Sequence, residues 1–269
     1  MLAKLLKYDF AALSRILVPV HLIALAVGVV ALVCFGFARM MTNDDTILAL
    51  GPMAALGFTG GGICILVLAA APVATFVIVV RRWYVNLFTD EGYLTLTLPV
   101  GPGAHVASKT IAGFAWMLID LAILVALFMS VMAVLSGDLS VMYRGFLESG
   151  SLDMLGRWAR LSSFIQVLAI LLLAYASLAL GSVAASRHRV AAGVGIFVGT
   201  SWLVGLVSAF ASVTATYLAY PDSFVSALSF PPPAMAYLTS TVGLVLWLAF
   251  AAALYAFCVY LLKNKVNLP

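Results

Sequence analysis

Long apolar runs broken by short polar ones set the pattern of this chain. Six runs, at 16–38, 59–80, 110–136, 161–185, 190–217 and 238–262, are long enough to cross a bilayer as helices, which takes about 20 apolar residues. Stretches such as Ser163–Leu180 do not alternate in polarity, as the strands of roughly ten residues in a membrane barrel would. The pattern predicts an all-α polytopic membrane protein with six transmembrane helices. It forms one transmembrane domain over 1–269, with no soluble domain and no convincing internal repeat. The first run is too long for a signal-peptide core, and no small-residue cleavage pattern follows Cys34–Met41, so it reads as a retained span.

The polar interruptions are informative. Before the first span, Lys4, Lys7 and Arg15 fall within roughly an 80° arc of a helical wheel, opposite Leu2, Leu6, Leu13 and Leu17. That suits an interfacial N-terminal helix with its cations toward lipid headgroups. Asp9 falls on the apolar side and pairs locally, faces protein or is an ordinary interfacial acid. The connection 39–58 carries Thr42–Thr46. In 137–160, Asp153, Arg157 and Arg160 share one face at helical spacing, predicting a short surface helix that leads into span four. Prolines at 221 and 231–233 stop span five and set the backbone before span six.

Composition agrees. Of 269 residues, 65% are hydrophobic and 9% charged, with mean hydropathy +1.17, whereas soluble domains are about a quarter charged. With the N-terminus inside, ten of the 14 Lys and Arg residues are cytoplasmic: Lys4, Lys7, Arg15, Arg81, Arg82, Lys109, Arg187, Arg189, Lys263 and Lys265. Arg39, Arg144, Arg157 and Arg160 are outside, so the bias predicts an N-in, C-in chain. The net charge of +4 then expresses topology, with no clustered basic face for nucleic acid. Cys34, Cys64 and Cys258 are scattered through different spans and read as small core residues.

The longest cytoplasmic connection, Arg81 to Lys109, is also the most structured in composition. Arg81–Gly92 can form a short helix with Gly92 as its stop. Trp83 and Tyr84 suit the membrane interface, while Asn86, Asp90 and Glu91 are left for water or a partner. Tyr93–Val100 then returns the chain to the membrane. Glu91-Gly92, Leu94, Leu96, Leu98-Pro99-Val100 and Lys109 resemble the cytoplasmic loop of ABC-2-type transporter permeases. The N-terminal Lys4–Phe10 and the C-terminal Leu261–Leu268 are similar to the ends of small six-span permeases of Gram-positive bacteria. Tyr93 departs from the threonine that often follows the glycine there.

The resemblance implies a multi-pass protein of the bacterial cytoplasmic membrane, a subunit of an ATP-driven exporter. It implies a cytoplasmic coupling helix between spans two and three, docked in a groove of a separate ABC ATPase that binds ATP and Mg. Two ATPases and two permeases, identical or paralogous, make the complex. On the residues, Asn86, Leu87, Phe88, Asp90, Glu91, Gly92 and Tyr93 are the docking candidates. Phe88 and Tyr93 act as anchors and Asp90 and Glu91 as charge partners. A solvated turn with interfacial aromatics is the plainer reading of the same residues.

No cofactor is expected on this chain itself. Gly57–Gly62 lacks the lysine of a P-loop and opens a span, where its glycines favour close helix packing. Gly195 and Gly199 have the spacing of a packing motif, across a dimer or within the chain. His21, His105 and His188 are single, near span ends or in loops, with no metal-ligand spacing, which excludes a zinc-protease pattern. Asp120 is the charge deepest in a span. Alone it is no acid–base pair, but a deep acid usually faces a bundle interior or a watery path. It is therefore a candidate for a cargo path, or for a structural residue bonded to a serine or to Gln166. A self-contained channel or secondary transporter using Asp120 is the rival to the permease reading.

Overall fold

The computed structural model describes residues 2–42, 47–97, 99–137, 154–185, 187–219, 221 and 233–264. Within these the chain is all-helical, with no strand. The helices are α1 (Leu2–Thr42), α2 (Ile47–Phe88), α3 (Asp90–Leu96), α4 (Pro102–Ser136), α5 (Met154–Ala184), α6 (Arg189–Ala219) and α7 (Pro233–Asn264). All but α3 are long and apolar enough to cross a membrane, so six candidate spans are present. Helices suit this composition because every backbone N–H and C=O between the ends is satisfied within the segment, without water.

The helices outrun the spans read from hydropathy. At 1.5 Å per residue, α1 and α2, of 41 and 42 residues, are each about 60 Å long, twice the hydrocarbon thickness of about 30 Å. The N-terminal stretch expected as an interfacial helix is the first turns of α1 and not a separate element, with Pro19 inside the helix. The connection expected over 39–58 is mostly helical, since α1 runs to Thr42 and α2 begins at Ile47. Residues 154–160 are continuous with α5 rather than a separate surface helix, while Asp153 and Arg144 lie outside the described residues. Pro233 opens α7 in the first turn, where a missing N–H costs nothing.

Two compact units divide the chain. One contains Leu6–Val79 and 111–149, hence most of α1, α2 and α4. Here glycines do let helices approach. A Cβ on Gly57 would lie 2.8 Å from the Cys34 carbonyl oxygen and the Ala38 Cβ, and one on Gly61 would lie 2.7 Å from the Phe35 ring. Ala24, Leu68 and Leu127 form one buried cluster, and Ala31, Phe35 and Val131 another. α4 ends at Gly137, whose φ of 76° is the left-handed conformation favoured by glycine after a helix. Its N–H bonds to the Ala133 carbonyl at 3.0 Å. The Arg39 guanidinium donates to the Val134 carbonyl, satisfying another acceptor of that last turn.

The other unit contains Met1–Leu5, 80–110 and 150–269. Its centre is α5, packed against both α6 and α7, which barely touch each other. Residues 171–179 of α5 are buried on every side. Tyr175 stacks on Trp83, with ring centroids 4.3 Å apart and planes 11° from parallel, and its hydroxyl reaches the Lys109 carbonyl at 3.4 Å. The Tyr255 hydroxyl of α7 donates to the Gly103 carbonyl at 3.0 Å. At the α5–α6 turn Gly181 meets Gly193, so closely that a Cβ on Gly181 would lie 2.5 Å from the Gly193 Cα. By contrast, Gly195 and Gly199 face open space and mediate no packing among the described residues.

Candidate functional site

Two places carry the residues singled out above. The first is the end of α2 and the short helix after it. Arg81–Phe88 is not a separate helix but the last turns of α2, and the break comes at Thr89. That residue is extended, at φ −117° and ψ −170°, while its hydroxyl bonds back to the Val85 carbonyl at 2.6 Å. α3 then takes Asp90–Leu96. Gly92 therefore lies inside α3 and is no helix stop. Its N–H bonds to the Thr89 carbonyl at 2.7 Å, and the Thr97 N–H closes the helix on Tyr93 at 3.2 Å. Tyr93–Leu96, expected to lead back to the membrane, is part of this helix.

The side chains divide into two sets. Leu87 is 0% and Phe88 4% exposed. Phe88 packs between Trp83 and Tyr84, with ring centroids at 6.2 and 6.0 Å. Its ring is buried against rings of its own helix, and is not on the surface where the sequence places an anchor. Asn86 is half-buried and Glu91 exposed, and Tyr93, 66% exposed, is the accessible aromatic of α3. The side chain of Asp90 lies outside the described residues. Tyr84 also lines a shallow cleft of about 340 Å³ with Arg187, His188 and Arg189. Lys109 is buried in the first turns of α4.

The second place is the middle of α1 and α4. Asp120 is 3% exposed, and its Oδ1 lies 3.1 Å from His21 Nε2. The separation is that of an ion pair, and among the described residues neither Nε2 nor Oδ2 has a hydrogen-bond partner. His21 Nδ1 lies 2.6 Å from the Leu17 carbonyl oxygen, one turn back on α1. Trp116, one turn before Asp120, lies 5.4 Å from the imidazole, and Phe10 stacks on Trp116 at 5.0 Å. Gln166 is exposed on α5, and the group beside Asp120 is His21.

By sequence alone His21 is an isolated histidine near a span end. A signal was present: a deep acid requires a partner, and His21 is a basic group within another span. Hydropathy does not say which spans face each other, so the pair could not be assigned. Comparison of the chain with protein-family models, curated proteins and solved structures finds no match.

Proposed function

We propose that this chain is the membrane-spanning permease subunit of an ABC-2-type transporter. Its place is a bacterial cytoplasmic membrane, with both termini on the cytoplasmic side, exporting a peptide, antibiotic, lipid or other amphiphile. ATP and Mg belong to a separate ATPase chain, and a second permease, identical or paralogous, completes the path.

One observation carries the reading. The start of the motif, from Glu91-Gly92 to Leu96, falls on a helix of seven residues set apart from α2 by the extended Thr89. A docking element must be short, stiff and anchored at its base, with side chains left for a partner groove. α3 meets these needs: Phe88 and Leu87 secure the base, and Glu91 and Tyr93 point outward. The anchoring role assigned to Phe88 passes to Tyr93. Movement of the ATPases would then act on α3 and, through the rigid end of α2, on the spans.

Affinity purification of the tagged chain from its native membrane tests this. The expected result is an ABC ATPase in the eluate. Truncating a central aromatic anchor costs about 2 kcal/mol or more, roughly a thirtyfold loss of affinity. Tyr93→Ala combined with Glu91→Ala should therefore release the ATPase while the permease still inserts. A chain that transports without any ATPase would establish the secondary-transporter reading instead. Labelling with an impermeant thiol reagent tests orientation: a cysteine at position 91 should react only once the inner face is opened.

A further inference from the structure

Ionisable side chains inside a bilayer persist where their charge is neutralised. His21 and Asp120 are both buried, on α1 and α4 of one unit. Their proton content follows from their hydrogen-bond partners. The Leu17 carbonyl oxygen, 2.6 Å from Nδ1, can only accept, so Nδ1 carries a proton. Nε2 is then left facing Oδ1 at 3.1 Å.

Two states remain. With no further proton, a neutral imidazole turns its Nε2 lone pair toward an ionised carboxylate. A full negative charge is then buried, with Oδ2 lacking a hydrogen bond among the described residues. With one more proton, on Nε2 or on the carboxyl, the pair is net neutral and the close approach is attractive either way. The first state carries lone-pair repulsion and the desolvation of an uncompensated ion, and the second carries neither. The neighbouring rings, Trp116 and Phe10, supply no counter-charge that would rescue the first.

We propose that His21 and Asp120 form a single-proton site in the membrane interior, taking one proton beyond that on Nδ1 and holding it between the first and third spans. An arginine in place of the histidine would leave two ions in lipid whenever the helices separated. Here the proton can stay with the carboxyl, and α1 and α4 can part as two neutral groups. The site requires only that α1 and α4 span a membrane, and stands apart from the permease reading.

The test uses the full chain in lipid vesicles at neutral pH, with isotope-labelled histidine observed by nitrogen NMR. The chain has three histidines, and His105→Asn and His188→Asn assign the other two. The expected spectrum has His21 Nδ1 protonated, in one of two combinations. Either Nε2 is protonated as well, or infrared spectra show a protonated-carboxyl stretch that is lost in Asp120→Asn. Should that variant not fold, the isotope shift of the band on aspartate labelling serves instead. Either combination supports the site. A bare Nδ1, or a neutral His21 with no protonated-carboxyl band, overturns it. The nitrogen spectrum is read with native residues at both positions.

Discussion

α5 and α6 are consecutive helices of 31 residues each, both apolar enough to span a membrane, in opposite surroundings. Of the most apolar window of α5, 61% is buried inside the protein, against 6% for α6. α5 is enclosed by α6, α7 and Trp83, whereas α6 turns Trp202, Phe210 and Leu218 outward. Hydropathy does not separate the two, because a protein interior and a lipid tail are equally apolar. What differs is how polar groups are handled. Four α6 hydroxyls are satisfied within the helix: Thr200 donates to Ile196, Ser208 to Val204, Ser212 to Ala209 and Thr216 to Ser212, at 2.5 to 2.8 Å. A helix that closes its own hydrogen bonds can face lipid. Tyr175 of α5 instead bonds across to α4, which requires a fixed neighbour.

The contrast can be broken by one residue type placed in each setting. Trp83→Ala removes a ring that is 1% exposed and stacked on Tyr175, and should cost about 3–5 kcal/mol in a denaturing-detergent titration. Trp202→Ala, at 71% exposure, should stay within about 0.5 kcal/mol. If Trp202→Ala instead abolishes chemical cross-linking between copies while folding is unchanged, α6 faces protein in the assembly, and the contrast holds only for the isolated chain.

Glycines sharpen it further. A methyl at Gly181 meets backbone, the Gly193 Cα at 2.5 Å and the Arg189 carbonyl oxygen at 2.8 Å, and neither can turn aside. Gly181→Ala should therefore cost about 1–3 kcal/mol by overpacking. Gly195→Ala and Gly199→Ala enter open space and should be neutral, or stabilising by about 0.5–1 kcal/mol through helix propensity. Equal losses in the same titration would mean that the α5–α6 contact is not tight. Tyr175→Phe is the mildest change. Its hydrogen bond is long, at 3.4 Å, so the loss should be below about 1 kcal/mol, and a larger value would show that this hydroxyl, more than the stacked ring, fixes α5.

Much of this was legible beforehand, and the misses share a physical cause. Six spans follow from apolar runs because lipid selects for length and hydrophobicity alone. Their ends do not follow, since helices continue into the interface where hydropathy has no signal, as Arg81–Phe88 does at the end of α2. Gly92 resembled a stop, but the break falls three residues earlier at Thr89, whose hydroxyl competes with the backbone for the Val85 carbonyl. The burial of Phe88 and the pairing of Asp120 with His21 depend on which helices meet. The same holds for the packing glycines: Gly195 and Gly199 have the motif, while Gly181 and Gly193 have the contact.

The burial of α5 also bears on how the protein is made. Both helices that cover α5 follow it in sequence, and α7 is the last of the described helices to be synthesised. When α5 first enters the bilayer, Tyr175 can already meet Trp83 and the Lys109 carbonyl, but the flank destined for α7 is bare. A helix in that state is a target for membrane chaperones and quality-control proteases until α7 arrives. The unit of α1, α2 and α4 has no such wait, since all three helices precede α5 in synthesis. Ribosome-stalled chains halted before α7 should therefore be degraded from α5 onward, while the α1–α2–α4 unit is already protease-resistant.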